Sequence, residues 1–427
     1  MLKAEDNERV TRVGRETPMG ELFRRYWIPA ALSEELPEKD GDPVRVRLLG
    51  EDLLAFRDTD GVVGLVDAYC PHRRAPMFFG RNEECGIRCV YHGWKFNRHG
   101  DCTDMPSEPA GTPLQARVKM LAYPTHEAGG IVWTYMGPKE QQPAPPDFEW
   151  MRAPQKNRFV SKTWEDCNWL QAMEGGLDTA HSSFVHNEFI GNNASLRNQD
   201  RAPRLEVERT DYGYFYVSTR ALTEGRTYAR LYHYVMPNQQ MRSGTVKFLD
   251  NGGDDDPHAV PKIDGHLWVP VDDEHTYVYN WSCAVGEAGF PEGYVERWES
   301  FMGRGKDDMI PGTYRMKRNL TNDYLIDRDL QRTKTFSGIK GLNTQDYALQ
   351  EGMGPIVDRS QEFLGTSDRA IVTMRRQLLE ATRAVEDGQT PPATDPAQLR
   401  GIRPVDRVLD AGQAWKEAFA TATQARW

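Results

Sequence analysis

The sequence predicts an α+β chain, β-rich at its amino end and mixed helical and β afterwards. Three observations carry that expectation. Apolar and polar residues alternate between Val44 and Val66. A polar, Pro-rich stretch from Pro138 to Pro146 separates two parts of different pattern. Helical spacing returns late, where Ile371, Met374, Leu378 and Val385 share one face. The expected units are residues 1–143 and 144–427.

Composition bounds the function. With 53 basic and 63 acidic side chains in 427 residues, the formal charge is −10. That balance argues against nucleic acid as the main partner, because phosphate binding relies on Lys and Arg. No apolar run is long enough to span a bilayer. The charged start, Met1 to Arg9, has no apolar core of a signal peptide, so a cytoplasmic protein is expected. Six cysteines are too few for a disulfide scaffold, and Cys near His then reads as metal binding.

In chain order, Thr17-Pro18 caps a short helix that runs towards Trp27. Val44, Val46 and Leu48 begin the β pattern. Leu53–Phe56 and Val62–Val66 flank a turn at Asp58-Thr59-Asp60-Gly61. Val118–Tyr123 and Ile131–Tyr135 add two expected strands. Beyond the linker, Trp164–His186 has helical character. Strand-like segments dominate from about Tyr214 to Val285, interrupted by an expected exposed loop at Asn251–Pro257. Thr366-Ser367 caps a helix that Gly388 ends. Residues 389–404 read as loop, and Asp410–Gln424 as a last helix.

Two constellations carry chemistry. The first is Cys70-Pro71-His72, then 16 residues, then Cys89-Val90-Tyr91-His92. Each pair presents one thiolate and one imidazole from a tight loop. Tetrahedral zinc accepts two S and two N donors. A Rieske [2Fe–2S] cluster takes two Cys on one iron and two His on the other. Pro71, the Arg73-Arg74-Ala75-Pro76-Met77 loop, and Gly93-Trp94 with Phe96, Asn97 and Gly100 resemble the Rieske loops of aromatic-ring-hydroxylating oxygenases. Cys85 and Cys102 miss the spacing and read as ordinary small residues.

The second constellation is a polar stripe, Asn168, Gln171, Glu174, Asp178 and His181, at helical steps of three or four among apolar neighbours. His186 follows His181 by five, about 140° off register on a regular helix. Both reach one metal only if the helix bulges or breaks, and Gly175-Gly176 is the expected place. Two His and a carboxylate form the facial triad of non-haem iron(II) oxygenases. Glu174 reads as a structural hydrogen-bonding group.

The run from Glu174 to His186 is similar to the iron-site signature of Rieske oxygenase large subunits. His266–Thr276 and Asp358–Asp368 resemble the phthalate dioxygenase branch of that family. The resemblance covers nearly the whole chain. It implies an amino-terminal Rieske β-domain and a carboxy-terminal helix-grip domain with a curved antiparallel sheet. It implies a [2Fe–2S] cluster at Cys70, His72, Cys89 and His92, and a mononuclear iron at His181, His186 and Asp346. Asp358 competes with Asp346 as the third ligand. By the same resemblance Asp178 links His181 to His92 of a neighbouring chain, within a homotrimer or a hexamer of stacked trimers. Electrons come from a separate NADH-dependent reductase carrying flavin and a plant-type iron–sulfur centre. This chain has no Gly-x-Gly-x-x-Gly opening a βαβ unit for NADH itself.

The implied reaction is cis-dihydroxylation of a phthalate- or benzoate-like acid. Arg226, Arg230 and Arg242, on strands expected to face the pocket, are candidate carboxylate partners. A monooxygenase or O-demethylase of the same fold is the alternative. Two other classes are a Rieske electron carrier without oxygenase activity and a zinc-stapled binding protein.

Overall fold

A computed structural model of the chain describes residues 2–187, 196–246 and 260–427. The expected loop Asn251–Pro257 lies outside the described residues.

The first unit holds three small antiparallel sheets. One is β1 (Trp27–Leu32), β11 (Ile131–Tyr135) and β10 (Thr125–Ala128), in that spatial order. A second runs β2 (Val44–Leu48), β3 (Glu51–Arg57), β4 (Val63–Asp67) and β9 (Ala122–Tyr123). The third, β5 (Arg81–Glu83), β6 (Gly86–Arg88), β7 (Lys95–Asn97) and β8 (Cys102–Asp104), carries one of the Cys/His loops. The alternation in β2 has its expected meaning: Val46 and Leu48 are buried, while Arg45 and Arg47 are exposed. The strand expected over Val118–Tyr123 shrinks to Ala122–Tyr123. A turn of helix, Leu114–Arg117, precedes it, and Val118 caps that turn by donating to Leu114 O.

The second unit is built on one antiparallel sheet. Its order is β12 (Arg158–Glu165), β18 (Thr276–Ala284), β17 (Val260–Pro270), β16 (Gln239–Val246), β15 (Thr227–Val235), β14 (Gly213–Ala221) and β13 (Arg204–Thr210). A late strand, β19 (Val405–Leu409), pairs with the first half of β15. This strand fills the gap between the expected loop and the expected last helix, which itself spans only Trp415–Phe419. Strand polarity does not reveal this from local pattern, because β19 gains its partner from far along the chain.

The helix Arg369–Glu386 lies across the sheet with Met374, Leu378 and Ala381 buried, and Gly388 sits beyond its end at φ +75°. The short helix Pro18–Phe23 starts as expected, with Thr17 Oγ1 accepting from Gly20 N–H. The opening helix Ala4–Thr11 reaches into the second unit, where Arg9 pairs with Glu386 and Asn7 donates to Val357 O. Among the described residues, no helix is long and apolar enough to cross a membrane.

The expected long helix over Trp164–His186 is corrected. Trp164 belongs to β12, and the helix runs only from Trp169 to Leu177. Asn168 caps its start by accepting from Leu170 N–H. Asp178 leaves the helical region at ψ 129°, and a single 3₁₀ turn, His181–Ser183, follows. The helix breaks at Asp178 rather than at Gly175-Gly176. Those glycines stay helical, and their missing side chains let neighbours in: a Cβ on Gly176 would lie 2.2 Å from the Trp268 ring, and one on Gly175 1.9 Å from the Gln350 side chain.

Candidate metal centres and the cavity beside the second

Cys70 and Cys89 sit in two similar tight loops. Cys70 N–H donates to Ala75 O (2.8 Å) and Arg74 N–H returns to Cys70 O (2.9 Å). Cys89 N–H donates to Trp94 O, and Gly93 N–H to Cys89 O, both at 2.9 Å. Gly93 has φ +76°, and a Cβ there would strike Pro106. Burial lifts the Cys70 thiol to about 11, with the Cys89 sulfur beside it adding to the rise. A thiolate pair there needs a cation. His72 stacks on Trp94 with centroids 4.3 Å apart, and its ring lies 4.5 Å from that of His92. His72 Nδ1 is buried without a partner among the described residues. No three of these four donors fall within 4.8 Å of one another, whereas donors on one tetrahedral zinc sit roughly 3.3–3.8 Å apart. A sulfur pair and a separate imidazole pair fit a two-iron cluster, not a single zinc.

The second centre forms where the broken helix meets the helix Leu342–Gly352. The break after Asp178 lets His181 and His186 converge, with Nε2 atoms 3.1 Å apart. Asp346 Oδ1 lies 3.2 Å from His186 Nε2 and 3.6 Å from His181 Nε2. Hydrogen placement follows from the neighbours. Gln345 donates from Nε2 to Ile339 O, so its Oε1 accepts from His186 Nδ1–H at 2.8 Å. His186 Nε2 is then a bare lone pair. Asp178 Oδ2 lies 3.4 Å from His181 Nδ1, which orients that ring in the same sense. Two bare imidazole nitrogens and a carboxylate oxygen within 4.8 Å repel one another without a cation, and the set fits one metal ion. Asp178 also accepts from Ala180 N–H and His181 N–H. Burial pushes its carboxyl up, but the His181 ring and these amides outweigh it and hold the group ionised.

The remaining members of the stripe face away from this centre. Gln171 donates to Gln350 O and Gly354 O and accepts from Val357 N–H. Glu174 receives Arg359, which is fully buried, and Arg375. Its structural reading is correct, and its partners are two cations.

Between the His181/His186/Asp346 set and the sheet lies a cavity of about 550 Å³. Its sheet wall carries Arg230 from β15, Arg242 from β16, and Lys262 and Asp264 from β17, with Arg197 from the short helix Leu196–Gln199. Arg230 and Lys262 are buried. Arg242 is bonded to Asp264, and Lys262 Nζ lies 3.1 Å from the same carboxylate and 3.3 Å over the Trp298 ring. Burial drives Lys262 down to about 8 despite Asp264. Arg230 donates to Ser243 O and keeps its Nε unpartnered. Four cations therefore face one wall carboxylate.

Two expected residues fall elsewhere. Arg226 is exposed beyond the end of β14 near Glu224 and does not line the cavity, because the 3₁₀ turn Thr223–Gly225 carries it outwards. Asp358 is an exposed cap that accepts from Ser360 and Gln361, while its neighbour Arg359 turns inwards to Glu174. Asp346, not Asp358, meets the two histidines. Sequence reasoning missed Arg197, Lys262 and Gln345. Lys262, Asp264 and His266 share one face of β17 at steps of two, a signal readable in the sequence once the strand is recognised.

Residues 26–122 match the Rieske [2Fe-2S] domain model, and residues 134–426 match the model described as LigXa C-terminal domain like. The chain is 40% identical over 401 residues to the phthalate 4,5-dioxygenase oxygenase subunit of Pseudomonas putida, covering 91% of this chain and 88% of that one. The chain belongs to the Rieske oxygenase family. It is also 38% identical to the 3-chlorobenzoate-3,4-dioxygenase oxygenase subunit of Comamonas testosteroni, covering 93% of both chains. A 33% identity links it to the 5,5'-dehydrodivanillate O-demethylase oxygenase subunit of Sphingobium sp. strain NBRC 103272 / SYK-6, covering 94% of this chain and 86% of that one. Dicamba monooxygenase bound to dicamba shares the fold, with a TM-score of 0.61 at 18% identity over 86% of this chain and 99% of that one. As a Rieske oxygenase of this type, the enzyme carries a Rieske [2Fe–2S] cluster and a mononuclear non-haem iron. It is an enzyme, an oxygenase of the Rieske class.

Proposed function

We propose that this Rieske oxygenase is the terminal component that cis-dihydroxylates an aromatic carboxylic acid of the phthalate or benzoate type. It takes electrons from a separate NADH-dependent reductase with flavin and a plant-type iron–sulfur centre. The observation that carries the reading is the cavity: a His/His/Asp set on one side and four cations against Asp264 on the other. An anionic ring held by that wall lies across the cavity from the three ligand residues. Arg offers a bidentate match to carboxylate, and the buried setting strengthens it. The two most similar relatives named above are oxygenase subunits for phthalate and 3-chlorobenzoate.

In this reading Cys70, His72, Cys89 and His92 hold the cluster, and His181, His186 and Asp346 hold the mononuclear iron. Bound there, the two centres supply single electrons and oxygen activation. Gln345 keeps His186 Nδ1 protonated and its Nε2 available, and Asp178 Oδ2, 3.4 Å from His181 Nδ1, faces the second ring. Arg230, Arg242, Arg197 and Lys262 bind and orient the acid. Asp178 has a quarter of its side chain exposed, and His92 lies at a surface with exposed Val90 and Tyr91. That exposure supports a ring-closed homotrimer, alone or stacked as a hexamer, in which Asp178 meets His92 of the next chain.

O-demethylation is the second reading, favoured by the 33% relative that is an O-demethylase subunit. Oxygen uptake with a panel of aromatic acids, reductase and NADH tests both. A cis-diol product supports dihydroxylation. A phenol with aldehyde from a methoxylated acid supports demethylation instead.

A further inference from the structure

The cationic wall continues, one rung along the sheet, into two hydrogen-bond acceptors that have no partner among the described residues. Gln240 on β16 and His266 on β17 are directly paired across the strands and both line the cavity. They are 1% and 5% exposed. The polarity of each is fixed by its neighbours. Asn280 Nδ2 donates to Val278 O, a group that only accepts, so Asn280 Oδ1 faces His266 Nδ1 at 2.8 Å. His266 Nδ1 therefore carries the hydrogen. Its Nε2 is a lone pair with no partner among the described residues. Burial, with Arg242 and Arg304 nearby, holds the ring neutral at about 3. Tyr216 hydroxyl donates to Leu177 O, so it accepts from Gln240 Nε2 at 2.9 Å. Gln240 Oε1 is left buried and unpartnered.

An unpaired buried acceptor is costly, and Gln240 Oε1 beside His266 Nε2, one rung from the cationic wall, marks a subsite. We infer that Gln240 Oε1 and His266 Nε2 bind a hydrogen-bond donor on the substrate ring, a hydroxyl group, and select hydroxylated aromatic acids over unhydroxylated ones. The spacing agrees. Gln240/His266 and Arg242/Asp264 are successive same-face pairs, about 7 Å apart along the strands, close to the length of one ring with a carboxylate at one end and a hydroxyl at the other. The inference rests on the proposed aromatic-acid reading for its carboxylate end only.

Anaerobic titration calorimetry on the holoenzyme, with both metal centres loaded, tests it with four ligands. Two are benzoates that differ by hydroxyl or methyl at the para position. Two are the corresponding neutral rings, a phenol and its methyl analogue. The hydroxyl member of each pair is expected to bind at least about tenfold tighter than its methyl partner, as one satisfied acceptor pair allows. That ratio is expected to fall to near one in His266→Phe and in Gln240→Leu, with methyl-ligand affinity retained. Equal affinities within both pairs, or a ratio that neither substitution changes, overturn the inference. A neutral pair that keeps its ratio while the acids gain nothing over it sinks the carboxylate reading and leaves this subsite standing. Should either variant misfold, the wild-type ratio still decides.

Discussion

Two histidines five residues apart cannot meet on a regular helix, yet His181 Nε2 and His186 Nε2 come within 3.1 Å of one another. What brings them together is Asp178, whose carboxylate takes the amides of Ala180 and His181 and stops the helix. The same side chain thus ends an element and orients a ring. Asp346→Ala removes the only carboxylate of the set, so mononuclear iron is expected to be lost while the red-brown cluster spectrum stays. Iron analysis beside the visible spectrum checks both, and retained mononuclear iron would contradict the ligand assignment. Lys262 gives a pH prediction. Its folded value of about 8 lies below the ordinary 10.5, so it is charged below pH 8 and neutral above. The rate constant kcat/KM for an anionic acid is expected to fall as pH rises through about 8, reporting the free enzyme. The stability sign is opposite: between pH 8 and 10.5 the unfolded chain holds a proton the folded one has released, so this group favours folding as pH rises. Lys262→Met should remove the limb near pH 8.

At the scale of elements, the helix Trp169–Leu177 serves two sides. Its far end feeds the iron-site turn, and Glu174 on its other face anchors Arg359 and Arg375. Burial raises the Glu174 carboxyl, but the two guanidiniums outweigh it and keep it charged. Glu174→Ala leaves the buried Arg359 without its counter-ion and Arg375 with Glu362 alone, which costs about 3–5 kcal/mol. A thermal melt should fall clearly, with both metal centres still present in what remains folded. This helix also shows what the sequence can and cannot tell. The polar period was legible, and so were the helix cap at Thr17 and the alternation of β2. The need for a break was legible too, but its place was not, because it depends on Asp178 finding amides beyond itself, while Gly175-Gly176 stay helical under Trp268 and Gln350. Local pattern equally hid the inward turn of Arg359, the outward turn of Arg226 and the pairing of β19 with β15. Arg359 and β19 are decided by partners distant in the chain, and Arg226 by the turn just before it.

Across the whole molecule, the two Cys/His loops and the His181–Ser183 turn are separate structures, the loops among strands of the first unit and the turn after a helix of the second, and the family assignment joins them in one enzyme. The Cys-x-His and Cys-x-x-His loops were readable from spacing alone, since tight loops need few residues and those residues carry the chemistry. The cationic wall was only half readable: Arg230 and Arg242 belonged to expected strands, whereas Arg197 enters from a helix that follows undescribed residues. Assembly is the remaining scale. If Asp178 bridges to His92 of a neighbour, Asp178→Asn keeps both metals and loses most coupled turnover, by a hundredfold or so as neutral contacts replace charged ones. Stopped-flow reoxidation of the reduced cluster measures this separately from substrate binding. Sedimentation of the wild type should give a trimer or a multiple of it.

The most direct measurement of the central claim is oxygen uptake by the reconstituted holoenzyme with reductase and NADH. An aromatic acid is compared with a neutral ring of the same shape, in wild type and in Arg230→Ala and Arg242→Ala. The account predicts coupled uptake with the acid. It also predicts a KM about tenfold or more higher in each variant, as losing a charged hydrogen bond implies. Equal turnover of acid and neutral ring, with KM unchanged in both variants, would contradict it.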